Sequence, residues 1–360
     1  MLRSAPAPAS DAPVTRASDA GPVRPIAAPA RRTAVLLGGS GAVLLVTAVL
    51  GLGLGSLRID PATVVAALTA YDPTNDAHLV VVQSRLPRIV LGIIVGAALG
   101  LAGTIMQSVT RNPLADPGIL GVNAGAALFV VIAIAYFGVH HVGHTIWFAF
   151  AGAAAAAVLV YLLGTARGGA AAPVRIALAG TAVSIVIGAV SQMVLLSHET
   201  AFNSFRFWSI GSLQGRGFDV ILAVLPFLAV GLLLGLLLAA PLDAIALGDA
   251  VATGLGTRVA GARLGAALAV VLLAGTATAA AGPIGFIGLG AAHVARRVTG
   301  NEHRRLLPAA LMLGATMLVV ADTLGRALVA PAELQTGVAA ALCGAPLFVA
   351  LVRSRRVAAL

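Results

Sequence analysis

The sequence predicts an all-α, polytopic membrane protein with ten transmembrane helices, and three observations lead to that reading. The chain of 360 residues is 59% hydrophobic and only 10% charged, with a mean hydropathy of +1.00. Soluble domains are about a quarter charged, and so few charges cannot supply a water-facing surface, which excludes a soluble enzyme. The apolar residues stand in continuous runs, whereas the strands of a membrane β-barrel would alternate with period two. Finally, 42 glycines against 4% aromatic residues suit membrane helices packed at close range.

Residues 1–33 are rich in Ala and Pro and carry Arg3, Arg16, Arg24, Arg31 and Arg32, which reads as a disordered cytoplasmic tail. The pair Arg31-Arg32 ahead of an apolar run has the look of a twin-arginine signal. The run 34–57 is too long for a signal core and is followed by more apolar segments, so it reads as an uncleaved first span. A spanning helix needs roughly 20 apolar residues. The further candidates are 89–109, 119–137, 145–164, 176–196, 220–240, 264–281, 284–295, 306–325 and 336–352. The eighth, 284–295, is short and Gly-rich. Segment 61–71 follows Asp60-Pro61 and reads as a small helix at the outer surface. In RNPLADPG (111–118) two prolines forbid a continuous helix, so the chain must turn there. Residues 205–213 form an amphipathic stretch with Phe205 and Trp208 suited to the membrane interface. LAGTIMQ at 101–107 and LAGTATA at 273–279 are a faint internal echo.

The net charge is +10, and all 23 basic residues are Arg. In a membrane protein such an excess marks cytoplasmic loops, and it gives no ground for nucleic-acid binding. With ten spans and both termini inside, Arg58, Arg85, Arg88, Arg206, Arg216 and Arg326 fall outside and the other seventeen inside, the bias the positive-inside rule requires. Dropping the eighth span would move Arg353, Arg355 and Arg356 outside. The lack of Lys has a sharper consequence. A Walker A loop needs its Lys, so any ATP hydrolysis tied to this chain belongs to another subunit. The lone Cys343 excludes an intrachain disulfide framework.

Ionisable groups inside spans are the default functional candidates, and they are scarce. Asp322 lies four residues before Arg326, a spacing that pairs them on one helix face; a proton or sodium relay is the competing role. His293 sits near the inner end of the eighth span without evident metal-binding partners. His140, His141 and His144 cluster in an outer loop but have no acidic or Cys ligand beside them. GPIGFIGLG (282–290) has neither the strand nor the Lys of a nucleotide loop; its glycines suit a sharp turn and a close helix crossing. The inner loop 241–263 is too polar to span. Ile245, Leu247, Val251 and Leu255 have helical spacing, and Gly254 and Gly256 interrupt it, which predicts one short amphipathic cytoplasmic helix packed on its own subunit or on a soluble partner.

Seven segments occur in a familiar order: RLPRIVLGIIVGAALGLAGTIMQSVTRNPLADPGILGVNAG (85–125), FRFWSIGSL (205–213), LGDAVATGLG (247–256), AGPIGFIGL (281–289), HVARRVTGNEHRRLLP (293–308), LVVADTLGR (318–326) and GAPLFVALV (344–352). Together they resemble the iron-siderophore and vitamin B12 permease family of ABC importers, the FecCD type, and most of all its ferric-enterobactin-type subunits. The likeness runs over residues 34–356. It implies the type II permease fold, ten helices per subunit, a second permease subunit that is identical or related, two cytoplasmic ATPase subunits that use ATP and Mg, and an extracytoplasmic binding protein. No catalytic residue, resident metal or cofactor of its own is implied for this chain.

Residue by residue, the resemblance gives Arg85, Arg88 and Arg326 the role of outward arginines that meet glutamates of the binding protein. Guanidinium forks suit carboxylates at a wet interface; anchoring of the second span is the plainer role for Arg85 and Arg88. Leu247, Gly248, Asp249, Ala250, Leu255 and Gly256 match the coupling helix that seats on the ATPase. Pro173 and Val174, ahead of Arg175, fall at the family's cytoplasmic gate, where some members carry small hydroxyl residues. Ala292 and Gln335 replace prolines that many members have. The implied activity is import of a ferric siderophore, of the catecholate, enterobactin-like type, across the cytoplasmic membrane. Vitamin B12 or haem would be an alternative cargo for the same fold, and an ion-coupled secondary transporter an alternative of another class.

Overall fold

The computed structural model describes residues 27–139, 141–165 and 172–353, and every regular element among them is helical. Helix α1 (Ala27–Gly53) begins inside the segment predicted as tail, so residues 27–33 are helical; the rest of that segment lies outside the described residues. Helix α2 (Pro61–Thr69) is the short helix expected at 61–71. The Asp60 carboxylate accepts the Ala62 N–H at 3.0 Å, and Pro61 takes the first helical position, where a missing N–H is harmless.

Helix α3 (Asp76–Leu79), a π-helical turn (Val80–Arg85) and α4 (Leu86–Thr110) form one run of 35 residues. The sequence predicts a start only at 89, because Gln83, Ser84, Arg85 and Pro87 mask the earlier turns. Pro87 lies in the first turn of α4, so it does not break the run. At the other end Arg111 adopts a left-handed conformation (φ 49°) and closes α4 where the sequence requires a turn. Asn112 and Asp116 then cap Leu114 and Gly118 and lead through a 3₁₀ turn, Pro117–Leu120.

Next come α5 (Val122–Phe137), α6 (Val142–Thr165), α7 (Ala172–Ser197), the amphipathic α8 (Glu199–Ser209) and α9 (Phe218–Leu237). Helices α10 (Ala239–Ala246) and α11 (Asp249–Gly254) follow, then α12 (Val259–Ala281), α13 (Ile287–Thr299), α14 (His303–Leu328) and α15 (Thr336–Arg353). Each of the ten apolar segments read from the sequence thus carries a helix. Seven of the described helices are long and apolar enough to cross a membrane. The apolar α5 and Thr336–Ala350 are shorter, and α13 has 13 residues.

Helix α4 occupies the centre and packs on α14, α12, α13 and α9. Every residue from Val95 to Ser108 is buried. The peripheral helices turn large apolar side chains outward, among them Leu45 and Val46 of α1, Leu162 of α6 and Ile185 of α7, as lipid contact requires. The α4–α14 crossing is backbone to backbone. A Cβ on Gly96 would overlap the Gly314 carbonyl oxygen, and one on Gly100 would overlap that of Ala310. On the neighbouring face, a Cβ on Gly103 would sit 2.6 Å from the Gly288 carbonyl. No side-chain rotation relieves such overlaps, so the helices would have to part. Gly100→Val is therefore expected to lower the thermal midpoint of the detergent-solubilised protein strongly, while Gly188→Val, facing open space, changes it little. Equal midpoints would show that the crossing tolerates separation.

Candidate functional site

The segment 241–263, expected on the inner side, holds two short helices rather than the single one its spacing predicts. Gly248, at φ 107°, sits in a conformation that L residues rarely adopt and breaks the run between α10 and α11. The break sorts the apolar residues. Leu242 and Ile245 are buried under the bundle, whereas Leu247 is 65% exposed, Leu255 66% and Val251 49%. Ala250 and Gly256 are also exposed. Val251 on α11 and Leu247 and Leu255 on either side of it thus form an exposed apolar cluster of the kind that suits a partner surface.

Asp249, beside that surface with its side chain 38% exposed, is also tied to the bundle. Its carboxylate accepts from Arg111 Nη2 at 3.0 Å and pairs with Arg263 Nη2 at 2.9 Å. Arg111 also donates to the Ile245 carbonyl at 2.6 Å. Asp249 thus ties α11 to the ends of α4 and α12. A second joint lies beside it. Asp243 of α10 accepts from the His303 backbone N–H at 2.9 Å and faces His303 Nδ1 at 2.6 Å, while His303 Nε2 meets Ser108 Oγ of α4 at 2.7 Å. Because a carboxylate can only accept, the ring proton sits on Nδ1. The segment is therefore locked to α4, α12 and α14. Sequence reasoning missed Arg111, Arg263, Asp243, His303 and Ser108, whose partners lie 14 to 195 residues away along the chain, on other helices, and leave no local signature.

At the opposite end of α4 and α14 lies an arginine–carboxylate network. Arg88 grips Asp322 bidentately, Nε to Oδ2 at 3.0 Å and Nη2 to Oδ1 at 2.9 Å, and its Nη1 reaches Glu333 at 2.6 Å. Arg326 Nε approaches Asp322 at 3.2 Å, the i, i+4 pair expected from the sequence. The Thr336 hydroxyl donates to Asp322 at 2.7 Å. Arg326 and Arg85 also satisfy the last carbonyls of α1 and the turn after it: Arg326 donates to Gly51 and Leu54 O, Arg85 to Leu52 and Leu57 O. Carbonyls left open at a helix end attract such cations. These are the three arginines that the resemblance sets against glutamates of the binding protein. They are 4%, 5% and 1% exposed for Arg85, Arg88 and Arg326, and their guanidinium groups face internal acceptors. With three arginines to two carboxylates, the cluster keeps an excess of positive charge.

Pro173 and Val174 lie in the first turn of α7, and Val174 is exposed; Arg175 Nε donates to Gly164 O at 3.3 Å. Of the outer histidines, His141 and His144 stand with ring centres 5.6 Å apart, while His140 lies outside the described residues. Among the described residues no group of three or more His, Cys, Asp or Glu side chains could hold a metal.

Between α8 and α9, the loop 211–217 turns at Gly211 (φ 78°) and Gly215 (φ 68°). It is fastened on three sides: Ser212 N donates to Ala281 O at 2.7 Å, Leu213 N to Thr336 Oγ1 at 3.2 Å, and Gly337 N to Gly211 O at 2.9 Å. The loop carries Arg216, which is 8% exposed. Burial pulls its guanidinium down to about 10, partly offset by the attraction of Asp219.

A bundle with seven described helices long and apolar enough to cross a membrane, and with exposed apolar side chains on the segment between α10 and α12, defines a multi-pass membrane protein. The chain belongs to the FecCD transport family, whose model matches residues 43–354. It is 40% identical over 314 residues to the ferric enterobactin transport system permease protein FepD of Escherichia coli K12, covering 87% of this chain and 93% of that protein. It is 40% identical over 294 residues to the hemin transport system permease protein HmuU of Yersinia pestis, covering 79% and 86% respectively. Among solved structures, a transporter described as being of the metal-chelate ABC type, in an inward-facing conformation, aligns with a TM-score of 0.78 at 28% identity. That alignment covers 89% of this chain and 99% of the other.

Proposed function

We propose that this permease imports a ferric siderophore of the catecholate, enterobactin-like type into the cytoplasm, driven by separate ATPase subunits that dock on α10–α11. The chain crosses the membrane ten times with both termini in the cytoplasm, and it pairs with a second permease subunit. Two ATPases bind inside and a siderophore-binding protein outside. The observation behind the drive is the exposed set Leu247, Val251 and Leu255 around α11, with α11 fastened to α4 and α12 through Asp249 and α10 to α14 through Asp243. A pull or push on that helix reaches the spans because no soft joint intervenes, and ATP binding in the partner then biases one of two packings of the bundle. Pro173 and Val174 lie at the inner mouth. The binding protein docks over the outer end, where the buried arginine cluster supplies a positive field beneath the surface and Glu333 stands at its rim.

The cargo reading is supported by the match to the enterobactin permease over nearly the whole chain. An ion-coupled mechanism is disfavoured by Asp322, which is held by Arg88, Arg326 and Thr336 and has no open position for a proton or sodium relay. Proteoliposomes carrying the permeases, ATPase and binding protein should accumulate a ferric catecholate only with ATP inside the ATPase compartment. Accumulation without the ATPase, blocked by Asp322→Asn, would replace the reading with ion coupling. Uptake of haem or vitamin B12 in preference to ferric chelates would replace the cargo.

A further inference from the structure

An outer cavity of about 520 Å³ opens beside α8, walled by the fastened loop 211–217, by α5 and α6, and by Gln335 just ahead of α15. Its volume is that of an ordinary small-molecule site. Two of its buried polar atoms have no hydrogen-bond partner among the described residues, although Asp219 attracts the Arg216 guanidinium from nearby. Arg216 makes no hydrogen bond or ion pair with any described residue, and its Nε is fully buried; the Gln335 Oε1 atom is likewise buried and unbonded. Orphans of this kind are rare in folded proteins. They also ask for opposite things: Arg216 needs an anionic acceptor, Gln335 Oε1 a donor N–H or O–H. The remaining lining includes the aromatic Trp208 and Phe207, with Ser212 and Gln214 as neutral hydrogen-bonding groups. Trp208 is buried and stacks on Phe205 with ring centres 5.7 Å apart.

We infer that this cavity is a subsite for the anionic ferric chelate on its way through the permease, with Arg216 binding an anionic oxygen of a catecholate arm, Gln335 accepting a hydrogen bond from an amide N–H of that arm, and Trp208 and Phe207 packing on its ring. A catecholate arm combines all three features, whereas an acidic side chain of a docking protein would satisfy Arg216 alone. The subsite rests on the cargo reading above. It gives a use to Gln335, a residue otherwise explained only as the loss of a proline. The site is preorganised, because the loop that carries Arg216 hangs on Ala281, Thr336 and Gly337, so little ordering accompanies binding.

The chain has two tryptophans, Trp147 and Trp208, so a Trp147→Phe background leaves Trp208 as the reporter. Ferric enterobactin, which absorbs at the emission of tryptophan, should quench Trp208 of the purified permease in nanodiscs saturably. Arg216→Gln should weaken that binding at least tenfold, Arg216→Lys less, and Gln335→Leu about fivefold. A cationic ferric hydroxamate should not quench at the same concentrations. Circular dichroism and monodispersity confirm that each variant is folded. Unchanged affinity in folded Arg216→Gln and Gln335→Leu overturns the subsite, even where the complete importer transports the chelate. So does a variant that loses affinity for the binding protein but keeps it for the chelate. Failure of ATP-driven uptake by the unsubstituted complex is read in the separate proteoliposome assay and strikes the cargo reading instead.

Discussion

Replacing Asp322 with leucine is expected to destabilise the folded permease by ~3–5 kcal/mol, the usual cost of removing one partner from a buried ion pair. Asp322 is the hub of the outer network: Arg88, Arg326 and the Thr336 hydroxyl all converge on it, and the paired side chains are 2–6% exposed. Without it, Arg326 keeps only carbonyls of the α1 end and the Thr323 hydroxyl, Arg88 keeps only Glu333, and Thr336 loses its acceptor. The thermal midpoint of the solubilised protein checks this directly. Pairing Asp322→Leu with Arg326→Met should recover part of the loss, because an apolar pair of similar volume replaces a buried ion pair at little cost. If the double variant is no better than the single one, the stranded Arg326 charge is not what destabilises the Asp322→Leu protein.

The second large effect concerns the coupling helix. Leu247→Asp combined with Leu255→Asp is expected to cut ATP-driven uptake at least tenfold and to stop the ATPase copurifying with the permease. Burying a leucine contributes about 1.5–3 kcal/mol, and a carboxylate put in its place inside an interface adds a desolvation penalty. Both leucines are already about two-thirds exposed, so the thermal midpoint of the isolated permease should not move. That combination, lost coupling with an intact fold, separates a contact residue from a structural one. Asp249→Asn should behave differently. It frees α11 from Arg111 and Arg263, so the ATPase should still bind while uptake falls. Normal uptake in the leucine variant would remove this helix from the drive.

The division between what was readable and what was not follows the range of the forces involved. Apolar runs, the cap at Asp60-Pro61, the turn at RNPLADPG and the pair Asp322–Arg326 are local, and each was legible because its partners lie within a turn or two of helix. The start of α4 was misplaced because three polar residues and Pro87 outweigh local hydropathy, although in the fold they sit on an unbroken helical run. The coupling segment was legible as amphipathic but not as two helices: its apolar spacing continues across Gly248, and only the backbone conformation there decides that Ile245 turns inward and Leu247 outward.

The arginines show the same limit most clearly. Their number, the absence of Lys and their distribution along the chain were enough to indicate a multi-pass membrane protein without a Walker A loop, since those are properties of composition and order. Whether a given guanidinium meets water, a carboxylate or the open end of a helix depends on groups distant along the chain, 234 residues away for Arg88 and Asp322 and 33 for Arg85 and Leu52. Burying a charge is so unfavourable without partners that the packing of α1, α4 and α14 assigns those partners, and with them the exposed or hidden character of every candidate residue.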